Sequence, residues 1–345
     1  MTAVNVDVAV PAPPRHHPAT TLIPGLVAAA AGLGGALLLS HLVPAVGILT
    51  WAVALGVAAA NLRVLPGRCR VALGHLTKRL LRAGVMLLGF SVSIGAILAL
   101  GAPVIAIVAG TLLSTLLFTI WLGTRMKLGG ARSLLIGTGV AICGASAIAA
   151  MEDTADADDE DVTAAIAMIT LFGTLALVAY PLLRGPLGLG DIQYGVWTGV
   201  GVHEVGQVVA AASPAGAAVV TIAVIVKLTR VLLLAPVVAG VSVVKRLRSP
   251  LTGTGVKRPP LVPLFVVGFL ACAAVRSTGV VPPVALDWIR ILQITALGAA
   301  LFGMGASVHL TSLVRRSPGA IALGAVSTIF VTGVALGATL LFVHG

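Results

Sequence analysis

Lys227 and Arg230 stand one helical turn apart, on one face, near the middle of an apolar stretch running from 216 to 243. A charged group at that depth in a bilayer costs about 2.5–3.5 kcal/mol on insertion scales, so cations that persist there are functional candidates. A lysine beside the planar donor fork of an arginine suits a small oxoanion. A second polar group, His203, Glu204 and Gln207, falls midway along the stretch from 192 to 212. Glu204 can exchange a proton or balance the cations when no anion is bound; it can equally pair with Lys227 or Arg230 and staple two helices. His203 can relay protons or be a hydrogen-bonded core histidine. His203-Glu204 begins like the zinc motif H-E-x-x-H, but Gln207 occupies the place of the second histidine, which excludes that metal site.

Glycine supplies a third signal. Gly137 with Cys143-Gly144-Ala145-Ser146 recurs, 161 residues later, as Gly298 with Met304-Gly305-Ala306-Ser307. A helix restarting at Gly144 or Gly305 points unpaired N–H groups and a positive dipole end into the midplane, where Ser146 and Ser307 can add hydroxyls. Close helix packing by small residues is the plainer reading of the same glycines. A competing internal match sets Gly137-x-Gly139-Val140-x-x-x-Gly144 against Gly199-x-Gly201-Val202-x-x-x-Gly206. The candidate binding set is therefore Lys227, Arg230, Gly144, Ser146, Gly305 and Ser307, with His203, Glu204 and Gln207 as coupling groups. No nucleophile and base stand at helical spacing, so no catalytic residue is assigned and an enzyme is not expected. No cofactor or metal is expected either.

The elements that must position these residues are membrane helices. The chain has 345 residues, 58% hydrophobic and 10% charged, with a mean hydropathy of +1.10, a balance that excludes a water-soluble globule. The apolar stretches are continuous rather than alternating, which excludes a β-barrel. Eleven stretches have about the length a transmembrane helix needs: 22 to 43, 45 to 62, 80 to 100, 103 to 123, 132 to 151, 162 to 182, 192 to 212, 216 to 243, 261 to 281, 288 to 308 and 318 to 343. They predict an all-α membrane protein with a short polar cytoplasmic tail, 1–20, and a single polytopic domain, 21–345. No separate soluble domain or Walker A sequence is present.

The net charge of +11 orients the chain rather than binding nucleic acid. With the N-terminus cytoplasmic and eleven crossings, all of the 22 Lys and Arg except Arg276, Arg290 and the two intramembrane cations face the cytoplasm. That layout puts Arg184 inside and the acidic run Glu152 to Asp161 outside, with the C-terminus extracytoplasmic. The 161-residue repeat, separated by five spans, implies inverted units of spans 2 to 6 and 7 to 11. Cys69, Cys143 and Cys272 read as packing residues.

Several segments carry a family resemblance: Asn61-Leu62-Arg63-x-Leu65-Pro66, LLRAGVMLLGF (80 to 90), ICGASAIAA (142 to 150), GVHEVGQVVAAA (201 to 212), LFG with Tyr180-Pro181, and KLTRVLLLAP (227 to 236). On these the chain resembles the sulfate exporter family of prokaryotic multi-pass membrane proteins, within the bile acid, arsenite and riboflavin transporter superfamily. The resemblance implies an inverted-repeat fold with crossing broken helices, in the inner membrane of a prokaryote. Its motifs fall on Cys143 to Ser146, His203, Glu204, Gln207, Lys227 and Arg230. The acidic run directly after ICGASAIAAM departs from its pattern. The expected function is secondary export of sulfate or a related small oxoanion or sulfonate. The alternatives are an anion channel or uniporter on the same scaffold, and a non-transporting sensor or intramembrane enzyme. The expected partners are the lipid bilayer, the anion and a coupling proton or ion, with a homo-oligomer compatible with the sequence and nucleic acid not.

Overall fold

A computed structural model describes residues 18–43, 47–248, 264–307 and 317–343. All of the regular structure there is helical. The polar tail expected over 1–20 lies outside the described residues except for its last three, where the first helix opens.

The helices follow the apolar stretches. They are α1 (Pro18–Leu42), α2 (Ile48–Asn61), α3 (Gly67–Leu88), α4 (Ile94–Ala99), α5 (Gly101–Arg125), α6 (Gly130–Ala141), α7 (Ala145–Ala155) and α8 (Asp159–Arg184). After these come α9 (Asp191–Gly201), α10 (Val205–Ala212), α11 (Ala217–Leu232), α12 (Leu234–Arg248), α13 (Leu264–Ser277), α14 (Pro283–Gly305) and α15 (Pro318–Phe342). Among the described residues, 6 helices are long and apolar enough to cross a membrane: most of α1, α5, nearly all of α8, the α11–α12 unit, α14 and α15. The stretch from 63 to 79, expected as a basic loop, is mostly helix instead. α3 opens at Gly67 and carries Arg68, Arg70, Lys78, Arg79 and Arg82 over its first five turns, because Lys and Arg are good helix formers and need only the water-facing side.

Two of the eleven stretches fold back on themselves. Arg132, at the start of α6, pairs with Asp161 at the start of α8 at 2.6 Å and with Glu160 at 3.3 Å. Had α6 and α7 formed one straight helix, residues 29 apart in sequence would be separated by roughly 40 Å. The chain instead reverses over Ile142–Gly144, where Gly144 has φ of 79°, a value that only glycine adopts without strain. The second reversal is α9–α10. Tyr194, in the first turn of α9, donates its hydroxyl to Ala211 O, near the end of α10, at 2.8 Å across 17 residues. A straight helix would hold them ~25 Å apart. A stack of Tyr180 on Trp197, with ring centroids 4.0 Å apart, braces this hairpin against α8.

The two hairpins enter from opposite ends of the bundle, because α8 runs its full length between them. This corrects the layout of the loops. The acidic run lies with the basic residues rather than opposite them: Lys78 pairs with Glu152 at 2.6 Å, Arg82 with Asp153 at 3.4 Å, and Lys245 with Asp156. Arg184 moves to the other end, where it pairs with Asp191. Each hairpin removes one crossing. The two removals cancel, which is why the rest of the charge pattern is unchanged and could not reveal them.

Candidate functional site

The hairpin tips meet. Glu204 ends the extended link Val202–Glu204 and sits where α10 begins, with its Oε1 accepting the N–H of Ala145, the first residue of α7, at 3.4 Å. A single hydrogen bond at the head of α10 completes its position. The Glu204 N–H donates to Gln207 Oε1 at 3.2 Å, one turn into α10. Glu204 thus stands at the head of α10 while its carboxylate reaches the N-terminus of α7, where unpaired N–H groups and the positive dipole end favour an anion. Gly144 makes the approach feasible, since a Cβ there would stand 2.6 Å from Glu204 Cγ.

The opposite helix ends at the same place take the cations. Lys227, fully buried on α11, donates to Val202 O at 2.6 Å, just past the end of α9. Arg230, also fully buried, donates through Nε to Ala141 O at 2.8 Å and through Nη2 to Val140 O at 2.9 Å, with a further Nη2 contact to Ala141 O. These carbonyls close α6 and have no partner within their own helix, so the guanidinium fork satisfies them and complements the negative dipole end. The expected pairing of Glu204 with Lys227 or Arg230 is not what forms: among the described residues no salt bridge joins them. Arg230 Nη1 has no hydrogen-bond partner among the described residues.

His203 turns away from this cluster. It is fully buried, with Nε2 3.0 Å from Thr328 Oγ1 on α15 and Nδ1 without a partner among the described residues.

Two cavities flank Glu204. A small one of about 50 Å³ is lined by Cys143, Ser146, Glu204 and Gln293 among apolar residues of α2, α3 and α14. A larger one of about 410 Å³ lies between α2, α8 and α10, with Thr50, Thr170, Thr174 and Gln207 on its walls and Glu204 shared. Neither is lined by Lys227 or Arg230.

Gly144, Ser146, Glu204, Gln207, Lys227 and Arg230 therefore come together on the two hairpins and α11, while the His203 ring, on the same link as Glu204, faces α15. Gly305 and Ser307 do not join them. α14 runs unbroken to Gly305, which packs against Gly56 and Val53 of α2, and Ser307 Oγ donates to Met304 O at 2.7 Å. The second break near the core is Val202–Glu204, inside the competing glycine match; its extended backbone needs no glycine, so the 161-residue match overlooks it. Gln293 was missed as well. Ser91 Oγ donates to its Oε1 at 3.0 Å, and the available cue was a lone amide within the apolar stretch from 288 to 308.

The chain matches the family described as "Conserved hypothetical protein 698" over residues 22–324. It is 37% identical over 318 residues to a UPF0324 membrane protein of Corynebacterium glutamicum, covering 92% of each chain. It is 38% identical over 256 residues to the UPF0324 membrane protein TauZ of Paracoccus denitrificans, covering 73% of this chain and 76% of that one. A UPF0324 membrane protein of Listeria monocytogenes is 32% identical over 296 residues, covering 86% and 88%. No solved structure matches the chain.

Proposed function

Because this chain belongs to the family described as conserved hypothetical protein 698, whose relatives are named as membrane proteins, we propose that it is a secondary transporter of a small oxoanion. The substrate in this reading is sulfate or a sulfonate, the membrane is the inner membrane of a prokaryote, and the end bearing Lys78 and Lys245 faces the cytoplasm. The carrying observation is the meeting of two helix N-termini at one residue, Glu204, which opens α10 and accepts the first N–H of α7 with its carboxylate. A site that holds a fixed anion in this way can hold a substrate anion once Glu204 is protonated or withdrawn. Glu204 is then the coupling group, exchanging its place with the substrate. Lys227 and Arg230 act at one remove in this reading. They hold the two tips together and supply positive potential without touching the ligand.

Flux of labelled sulfate and small sulfonates into proteoliposomes, with and without a pH gradient, tests the proposal. Uptake of one of them that responds to the gradient supports it; no flux for any oxoanion sinks the substrate class. A channel or uniporter is the second reading, supported by the tip-to-tip meeting of two half-length hairpins. It predicts conductance that survives Glu204→Gln.

A further inference from the structure

The small cavity beside Glu204 is not isolated in the fold. A vestibule of about 420 Å³ opens toward the lysine-rich end, lined in part by Arg70, Thr77 and Lys78 of α3, Glu152 of α7, and Met304 and Ser307 at and after the end of α14. The same three helices line the small cavity one to three turns deeper, α3 with Leu88, α7 with Ser146 and α14 with Gln293. Both spaces therefore occupy a single groove between α3, α7 and α14. Leu81 is the one residue common to both linings, and it is 3% exposed.

The charge along the groove has one sign at its mouth. Lys78 and Glu152 offset one another at 2.6 Å, and Arg70 leaves the lining net positive. At the inner end, Ser91 takes up the carbonyl oxygen of Gln293, so its amide N–H groups, with the Ser146 hydroxyl, are the donors that remain for the cavity. A volume of about 50 Å³ holds water or a small ion, since one water needs ~10–15 Å³.

We propose that the two cavities are successive stations of one anion route: the Arg70 and Lys78 vestibule gathers the ion, Leu81 gates it, and Ser146 with Gln293 receives it beside Glu204. The route rests on the carrier reading above. It adds an entry side, a gate and two ligands that the intramembrane cations do not supply. An apolar side chain between two polar stations is a barrier that a rotamer change removes, at the cost of briefly hydrating the leucine.

Cys143 lines the inner station and serves as a native reporter. With Cys69 and Cys272 replaced by serine and alanine, oriented membrane vesicles are treated from each face with an anionic methanethiosulfonate bearing a sulfonate, or with its trimethylammonium counterpart. The expected result is labelling of Cys143 from the lysine-rich face, about tenfold faster for the anionic reagent, with that preference lost in Arg70→Gln. Leu81→Ala accelerates the labelling and Leu81→Trp abolishes it. The proposal is overturned if Cys143 labels only from the Arg184 face, labels at one rate whatever stands at position 81, or stays unlabelled with alanine there. Should Leu81→Ala fail to fold, Leu81→Met against Leu81→Trp reads the same dependence. Labelling requires no transport, so absent oxoanion flux with intact gated labelling refutes the carrier and spares the route, whereas flux with ungated labelling does the reverse.

Discussion

Glu204 and Ala145 belong to hairpins that enter from opposite ends of the bundle, yet the carboxylate of one accepts the first N–H of the other's returning helix at 3.4 Å. The contact joins the two halves of the core through a group that can lose its charge. Replacing Glu204 with glutamine keeps an acceptor oxygen for that N–H while removing the titration. In proteoliposomes, Glu204→Gln is expected to abolish accumulation driven by a pH gradient while preserving downhill exchange of the same anion. Unchanged gradient-driven accumulation would remove Glu204 from the coupling role.

Gly144 is constrained twice, by its φ of 79° and by the 2.6 Å that would separate a Cβ from Glu204 Cγ. Backbone strain of this kind costs about 1–3 kcal/mol for a residue with a side chain. Gly144→Ala should lower the melting temperature in detergent and, by pushing Glu204 off the α7 N-terminus, reduce flux in the fraction that folds. Gly129, whose φ is also positive but whose added Cβ would meet open space, is the control: Gly129→Ala should carry the strain without the loss of transport.

Arg230 serves the carbonyls of Val140 and Ala141 simultaneously. Deleting the side chain leaves two buried acceptors unpaired, at about 1–3 kcal/mol each. Arg230→Met is therefore expected to destabilise the protein severely. Arg230→Lys should restore little, because a single ammonium cannot reproduce a planar fork. Thermal unfolding in detergent checks both, and a variant of unaltered stability that has only lost affinity for sulfate would show Arg230 to be a ligand rather than a clamp.

The doubling back of α6–α7 places Ala157, between the hairpin and α8, at the same end as Lys127 between α5 and α6. In a background lacking native cysteines, Ala157→Cys and Lys127→Cys should react with an impermeant maleimide from the same face of the membrane, and Arg184→Cys from the other. Eleven full crossings would put Ala157 and Lys127 on opposite faces.

The sequence by itself determined the solvent and the polar inventory. Continuous apolar stretches with so few charges require helices in lipid, and the cost of carrying His203, Glu204, Lys227 and Arg230 inside them marks these residues by type and position alone. It also raised a break at Gly144, but on the same footing as one at Gly305, which α14 reaches unbroken; only the positive φ of Gly144 tells the two glycines apart. The direction of the chain after a break is not encoded locally. Hydropathy is the same whether a helix of this length continues or turns back, and two reversals of opposite sense leave the end-to-end charge balance in place except at the acidic run and Arg184. The partner of each buried charge was likewise set by tertiary structure. Spacing along α11 puts Lys227 and Arg230 on one face, but only the meeting of four helix ends decides that the cations take the carbonyl ends and Glu204 the N–H ends, as the opposite poles of the helix dipoles require.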